Sequence, residues 1–186
     1  MTPAQPKHTF EHGGEPFIGV DFDNAKSWIE PQATEHSCWA ATLAYVAMML
    51  TGEFVDEAMV KAMVKALVGE DLLLHYEENG VPPSQYLEVI SILKERLGIT
   101  AKELRFSQDG AFESLLQGRP VIVSVGERNA HVLLLLGYQE GDPGKVFVYD
   151  TAIEDGGIKT PGIQTFVDAA NQMFLMDLYT PRSQSS

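Results

Sequence analysis

Residues 31–50, PQATEHSCWAATLAYVAMML, contain the only cysteine of the chain, Cys38, directly before a long apolar run. The spacing of Trp39, Leu43 and Leu50 in this run predicts a helix with a broad buried face. Such a helix belongs at the centre of a folded domain. Cys38 then has two interpretations, a small buried hydrophobe or a nucleophile at the start of the helix.

The elements that follow this helix change in character about halfway along the chain. The apolar spacing predicts helices over 55–70, over 85–97 with Ser84 as its cap, and over 109–118, with a loop containing ENGVPPS before the second of these. Strands are predicted over 119–125, 131–139, 145–152 and 172–180, with a short helical piece over 166–171. The turn QEGDPGK predicts that the two strands beside it pair antiparallel. Helices followed by an antiparallel sheet indicate an α+β fold.

The length and composition of the chain favour one principal domain. The sequence has 186 residues, with its ten prolines and sixteen glycines spread throughout and no repeat or low-complexity segment. Residues 1–30 mix proline, glycine and charges with short apolar pieces, which is typical of an N-terminal arm or peripheral segment. We therefore divide the chain into this arm and a main domain over 31–186.

The charge of the chain excludes several classes of partner. Acidic residues outnumber basic ones by 26 to 13, for a formal net charge of −13, which repels nucleic-acid phosphates and anionic lipids. No apolar run approaches the roughly 20 residues that span a bilayer, and the N-terminus lacks a conventional secretory signal. We therefore expect a soluble protein that binds no nucleic acid and is either cytoplasmic or secreted without a conventional signal peptide.

The same inventory gives no indication of a cofactor. One cysteine excludes an internal disulfide, and the scattered histidines form no zinc-binding pattern. A glycine-rich phosphate loop and a dinucleotide-binding fingerprint are also missing from the sequence. We predict no cofactor and no metal site.

Four residues have the chemistry and the placement for cysteine catalysis. Cys38 begins a helix, where unpaired N–H groups and the helix dipole favour the thiolate. His131 begins the strand HVLLLLGY and Asp150 ends the partner strand VFVYD, so the hairpin brings a base and its orienting carboxylate to one end of the sheet. Gln32, on the loop before Cys38, can add an amide donor for an oxyanion.

Each of these residues also has an ordinary structural interpretation. His131 alone is a strand-end histidine and Gln32 a solvated loop amide, and strand-end carboxylates such as Asp150 are common in turns. Other carboxylates near Asp150 offer the same chemistry, namely Asp142, Glu154 and Asp155. The remaining histidines are expected on loops or surfaces: His8, His12, His36 and His75.

The ordered set of Gln32, the motif SCWA at 37–40, His131 and Asp150 resembles the papain-like cysteine proteases, more narrowly their compact bacterial members with a Gln…Cys-Trp-Ala-Ala motif, a bacteriocin-peptidase-like group. The resemblance implies an N-terminal helical lobe, a C-terminal β-lobe and an active site in the cleft between them. It also implies Cys38 as nucleophile, His131 as general base, Asp150 as orienting residue, Gln32 as oxyanion donor, and Trp39 packed beneath the site. The sequence TEHS before the cysteine departs from the family pattern, and subsite preferences cannot be transferred.

The resemblance implies a thiol protease that cleaves a peptide or isopeptide bond of a protein or peptide substrate through a Cys38 acyl-enzyme. It suggests a bacterial secreted effector or toxin as the setting. Two alternatives use the same residues: a glutamine deamidase or transglutaminase-like toxin with the same thioester chemistry, and a non-catalytic interaction module that retains the scaffold.

Overall fold

The computed structural model describes residues 8–20, 30–126, 131–152 and 157–178. Within these ranges the helices are α1 (Cys38–Thr51), α2 (Glu57–Val68), α3 (Glu70–Asn79), α4 (Pro83–Leu97), α5 (Gln108–Leu116) and α6 (Ile163–Ala169). The strands are β1 (Thr9–His12), β2 (Glu15–Gly19), β3 (Ile99–Arg105), β4 (Val121–Val125), β5 (His131–Tyr138), β6 (Val146–Tyr149), β7 (Ile158–Lys159) and β8 (Ala170–Leu178). Among the described residues, no helix combines the length and apolarity needed to cross a membrane.

Helix α1 is the central helix that the sequence predicts. All ten residues from Trp39 to Met48 are buried, because helices α2 and α4 and strands β5 and β8 pack against this helix. It ends where Gly52 adopts a left-handed conformation and its N–H bonds to the Met48 carbonyl, a geometry that glycine takes without steric cost. The apolar run after Cys38 is thus explained by packing alone.

Helices α2, α3 and α4 complete this helical lobe and include one element that the sequence analysis did not assign. Asp56 caps α2 by accepting a hydrogen bond from the Met59 N–H at 2.8 Å. Gly69 both ends α2 and starts α3, so no loop separates them and their apolar patterns merge in the sequence. Helix α4 begins at Pro83 after Pro82. Ser84 therefore lies in the first turn of the helix, and the prediction that Ser84 caps it is wrong.

The sheet is antiparallel throughout its described strands, with the order β1-β2-β5-β4-β8-β3, and β6 and β7 extend it from β5. The predicted pairing of β5 with β6 is confirmed. Strand β3 was not predicted: it pairs along β8 from Ile99 to Arg105, but as an edge strand it carries exposed charged side chains such as Lys102 and Glu103 and so lacks a strong apolar pattern. The α+β fold class is confirmed.

The sheet has helices on both faces. One apolar cluster contains residues of the four helices α1, α2, α3 and α4 together with sheet residues such as Ile122 and Phe174. A second cluster contains residues of α5 and α6 together with Val121 and Val123 of the sheet. The side chains of β4 therefore alternate between the two clusters, as the twofold period of a strand requires. Because both faces are covered, the central strands are continuously apolar and easily recognised in the sequence.

The described part of the predicted N-terminal arm forms the hairpin of β1 and β2. Strand β2 pairs with the far end of β5, where Ile18 lies opposite Tyr138. Phe10 and Phe17 of the hairpin are buried against Phe147. Residues 8–20 thus contribute to the sheet and its core, whereas residues 1–7 and 21–29 of the arm lie outside the described residues.

Candidate active site

The loop before α1 presents Cys38 as the first residue of the helix. Ser37 is fully buried, and its Oγ accepts a hydrogen bond from Thr34 N at 3.0 Å and donates one to Thr34 O at 3.1 Å. The Ala33 N–H donates to Glu57 Oε2 of α2 at 2.9 Å. These contacts fix the turn, and Cys38 stands where backbone N–H groups have no intrahelical partner.

His131 and Asp150 meet as the hairpin of β5 and β6 predicts. Their hydrogen bond joins Nε2 to Oδ1 at 2.7 Å, and Asp150 is only 6% exposed. Lys159 Nζ lies 3.0 Å from Oδ2 and the Ala152 N–H lies 3.1 Å from Oδ1. Burial opposes ionisation of this carboxyl, but the bonds from His131, Lys159 and Ala152 outweigh it and hold the pKa of Asp150 well below its ordinary value.

Cys38 and His131 line the same cavity. Hydrogen bonds to Asp150 and then to Cys38 raise the pKa of His131 to about 9, against the effect of burial. Because His131 Nε2 is hydrogen-bonded to Asp150, Nδ1 is the ring nitrogen that is available to the Cys38 sulfur. A proton that leaves the thiol therefore arrives on an imidazole whose positive charge is already stabilised.

Gln32 lies close to both halves of the site, but its side chain is bound to protein groups. Its Nε2 donates to the carbonyls of Thr34 and Glu35, each at 2.8 Å, and its Oε1 accepts from Thr151 Oγ1 at 3.0 Å. Its backbone N–H donates to the Thr151 carbonyl at 3.0 Å. Gln32 thus joins the loop before Cys38 to the residue after Asp150, and both of its amide hydrogens have acceptors.

A cavity of about 400 Å³ lies beside Cys38 between the helical lobe and the sheet. Trp39 and Tyr86 line it from the helices, and His131, Ser124 and Phe174 line it from the sheet. Trp39 is buried, with its ring centroid 6.3 Å from that of Tyr76. Cys38 therefore borders a partly open cleft that can hold a substrate side chain or backbone.

Sequence reasoning missed several residues that shape this site. Lys159 contacts Asp150 and Thr151 contacts Gln32, each through a single polar side chain that carries no motif. Gly157 has φ of +60°, and its carbonyl accepts from the Asp150 N–H at 2.9 Å. A Cβ at this glycine would collide with the Asp150 carbonyl oxygen, and the positive φ also favours glycine at this position.

The other candidate residues do not join the described site. The four other histidines are exposed, as expected, although His36 and His75 line the cavity. Asp142 lies in the β5–β6 turn, whereas Glu154 and Asp155 lie outside the described residues. Within the described ranges, no three histidine, cysteine or acidic side chains form a group that could hold a metal ion.

Comparison with known proteins gives one family and a set of similar folds. The family model described as papain-like cysteine protease AvrRpt2 matches residues 23–171. No curated protein matches the chain. Two similar solved structures are the peptidase domain of Streptococcus ComA, a bi-functional ABC transporter involved in a quorum sensing pathway, and the N-terminal peptidase C39 like domain of the toxin secretion ATP-binding protein from Vibrio parahaemolyticus.

The two structures share the fold of the chain at low sequence identity. The Streptococcus domain is 18% identical with a TM-score of 0.59, covering 80% of this chain and 96% of that domain. The Vibrio domain is 17% identical with a TM-score of 0.53, covering 78% of this chain and 99% of that domain. Nearly the whole of each peptidase domain therefore has a counterpart in this architecture.

Proposed function

Because the chain belongs to the papain-like cysteine protease family, we propose that it is a thiol protease with Cys38 as nucleophile, His131 as general base and Asp150 as the residue that orients the base. The observation that carries this proposal is the 2.7 Å bond from the His131 imidazole to the buried Asp150 carboxylate, at the cavity that Cys38 and His131 both line. A non-catalytic module needs no such arrangement, because neither packing nor binding requires a histidine–carboxylate pair beside a thiol.

The proposed reaction has two stages. The Cys38 thiolate attacks the carbonyl carbon of the scissile amide, and the His131 imidazolium gives its proton to the leaving amine as the C–N bond breaks. The imidazole then takes a proton from water, whose oxygen attacks the thioester and releases the acid and the thiol. Asp150 holds the Nε2–H tautomer and stabilises the imidazolium in both stages.

Two donors are proposed for the oxyanion that forms in each stage. The Cys38 backbone N–H is available at the start of α1. We propose Gln32 Nε2 as the second donor, which requires that one of its N–H groups leave the Thr34 or Glu35 carbonyl and turn to the substrate oxygen. That exchange keeps the number of amide hydrogen bonds unchanged.

Alkylation kinetics test the nucleophile. We expect iodoacetamide to modify Cys38 at pH 6 far faster than a free cysteine, because an ordinary thiol is ionised only near about pH 8.5. His131→Ala should remove this advantage, and Cys38→Ala should abolish turnover. A wild-type alkylation rate that follows an ordinary thiol across the pH range contradicts the proposal.

Mass spectrometry of treated proteins separates proteolysis from the deamidase alternative. A protease creates new N-termini, whereas a deamidase leaves the backbone intact and adds about one dalton per modified glutamine. A proteome digested with the active protein, compared with the Cys38→Ala variant, identifies the substrate bond at the same time. Only mass shifts without new termini would favour the deamidase.

We also propose a protein substrate outside the producing cell, with the enzyme acting as a secreted effector or toxin. The support is the resemblance of its motif to compact bacterial members of the family. Immunoblots of culture supernatant and cell lysate, with a cytosolic marker as control, test this. Protein that stays with the marker in the lysate under all growth conditions contradicts secretion.

A further inference from the structure

Lys159 completes the set of groups that hold the Asp150 carboxylate. Its Nζ donates to Asp150 Oδ2 at 3.0 Å, whereas His131 Nε2 and the Ala152 N–H bond to Oδ1 at 2.7 Å and 3.1 Å. The ammonium therefore binds the carboxylate oxygen that His131 does not use. Asp150 is buried, whereas 49% of the Lys159 side chain is exposed. One buried carboxylate is thus shared between the imidazole of the site and an ammonium at the protein surface.

Strand β7 brings the lysine to this position. Lys159 lies opposite Val148 of β6, and the Asp150 N–H donates to the Gly157 carbonyl at 2.9 Å. The backbone and the side chain of Asp150 are therefore both bound by the short segment that begins at Gly157. The described lining of the cleft does not include Lys159. The lysine therefore acts on the reaction through Asp150 and not by contact with substrate.

We propose that Lys159 is a positioning residue that offsets part of the Asp150 charge and so lets the His131 imidazolium release its proton more readily to the leaving amine. This inference rests on the proposed function, in which His131 is the general base and then the acid. A carboxylate that faces only an imidazolium holds the proton there strongly, and a general acid works best when its proton affinity suits the working pH. The ammonium competes for the same negative charge, because it also bonds to the carboxylate.

Two roles of Lys159 predict opposite effects of its removal. If the lysine only holds the carboxylate in place, its loss loosens the His131–Asp150 bond, and the pKa of His131 falls from about 9 toward the ordinary 6.5. If the lysine offsets the charge of Asp150, its loss leaves more of that charge to the imidazolium, and the pKa of His131 rises. The direction of the change therefore separates charge competition from simple support.

Lys159→Met tests the inference, with Lys145→Met as a matched control. Methionine keeps a long unbranched side chain and removes the ammonium. Lys145 lies at the other end of β6, and its Nζ bonds to the Glu15 carboxylate at 2.7 Å and 2.8 Å, so the control also loses an ion pair. NMR titration of the His131 ring from pH 5 to pH 11 measures the base in wild type and both variants. The described ionisable neighbours stay unchanged: Cys38 and Tyr149 beside the His131–Asp150 pair, and Glu35, His36, His75, Tyr86 and Glu103 along the cleft.

In Lys159→Met we expect the titration midpoint of His131 to rise by about half a pH unit to one unit, as for loss of a partly solvated charge. The alkaline limb of kcat/KM, measured on a peptide that spans the bond identified by the proteome comparison, should rise with it. At pH 7 kcat should fall about two- to threefold, because the imidazolium becomes a weaker acid. Lys159→Arg restores the charge and should return the midpoint to that of wild type, and Lys145→Met should not move it.

Two results overturn the inference. The first is a His131 midpoint in Lys159→Met that falls, or that stays within about 0.2 units of wild type, well below the rise expected from the lost charge. The second is an equal rise in Lys145→Met, which would show that the loss of any nearby lysine has the same effect. Should Lys159→Met not fold, Lys159→Gln replaces it, because its amide can still donate to Oδ2 without a charge; the same rise is expected, and an unchanged or lower midpoint overturns the inference.

Two further outcomes separate this inference from the proposed function. If wild type produces no new N-termini in the proteome comparison, the proposed function fails and the inference fails with it. If wild type cleaves its substrate with an alkaline limb that Lys159→Met does not raise, the inference alone fails.

Discussion

Replacement of Asp150 by asparagine should separate the charge of this residue from its orienting role. The pKa of His131 is about 9 instead of the ordinary 6.5, with the Asp150 hydrogen bond as the largest cause. That difference corresponds to roughly 3 kcal/mol in favour of the imidazolium. Asparagine keeps an oxygen that can accept the Nε2–H bond but removes the negative charge. We therefore expect the pKa of His131 to fall by about 1 to 2 units in Asp150→Asn.

The activity profile should change in a defined direction. The alkaline limb of kcat/KM, which reports loss of the imidazolium proton, should move down with the pKa of His131. The loss of activity should accordingly be small near pH 6 and large near pH 8.5. Asp150→Ala removes the orienting bond as well and should reduce kcat/KM at every pH.

Stability should follow the same linkage. A raised histidine pKa stabilises the fold below about pH 6.5 and loses its effect as pH rises through 9. The lowered pKa of Asp150 stabilises it above the ordinary value of 3.8 and loses its effect as pH falls through the folded-state pKa. The free energy of unfolding of wild type and Asp150→Asn should therefore differ most between about pH 4 and pH 6.5, and this difference should become smaller as pH rises through 9 and the His131 contribution is lost.

NMR titration of the His131 ring and urea unfolding across pH measure these quantities. Asp168→Asn is the control, because it removes a carboxylate from an exposed helical position whose described partner is Gln164. If the pKa of His131 in Asp150→Asn stays within half a unit of wild type, or falls equally in Asp168→Asn, the hydrogen bond to Asp150 does not control the base and the reasoning is wrong.

Two other predictions concern the loops around the site. Gln32→Ala should lower kcat about 100-fold if its amide is an oxyanion donor. The control Thr151→Val removes only the 3.0 Å bond to the Gln32 Oε1, so it should lower the free energy of unfolding in urea by about 1 kcal/mol and leave kcat nearly unchanged. Equal losses of kcat in the two variants would contradict the donor role. Gly157→Ala should lower both the melting temperature and kcat/KM, because its Cβ would collide with the Asp150 carbonyl. The control Gly13→Ala has the same φ of +60° but open space around its Cβ, so it should lower the melting temperature alone. Matching effects of the two substitutions would rule out the steric argument.

The predictable part of this fold is the part that packing dictates. The apolar run from Trp39 to Met48 is buried and strands β4 and β5 are mostly buried, so their composition alone identifies them. Helix α3 and strands β3 and β7 escaped prediction because their patterns are short or broken by charge. Their positions depend on partners distant in sequence, as with the pairing of β3 along β8, and an edge strand shows no strong signal of its own.

The placement of His131 and Asp150 was predictable because a hairpin converts sequence spacing into distance. Strands β5 and β6 pair antiparallel, with Leu134 opposite Tyr149, so the start of one strand and the end of the next must lie at one end of the sheet. The lysine that contacts Asp150 comes from β7, beyond residues 153–156. Without a strand signal for β7, no spacing argument could bring that ammonium to the carboxylate.

Gln32 shows the limit of such reasoning most clearly. Its position in the sequence places it near Cys38, but the direction of an amide depends on which acceptors the local turn supplies, here the Thr34 and Glu35 carbonyls. A side chain so bound holds the loop in shape before substrate arrives. A substrate oxygen must compete with these two backbone carbonyls for one N–H of Gln32. A negatively charged oxygen competes well against a neutral carbonyl, whereas the carbonyl oxygen of a ground-state substrate does not. If the amide moves only for the charged oxygen, Gln32 favours the transition state over the bound substrate, and its removal should lower kcat with little effect on KM.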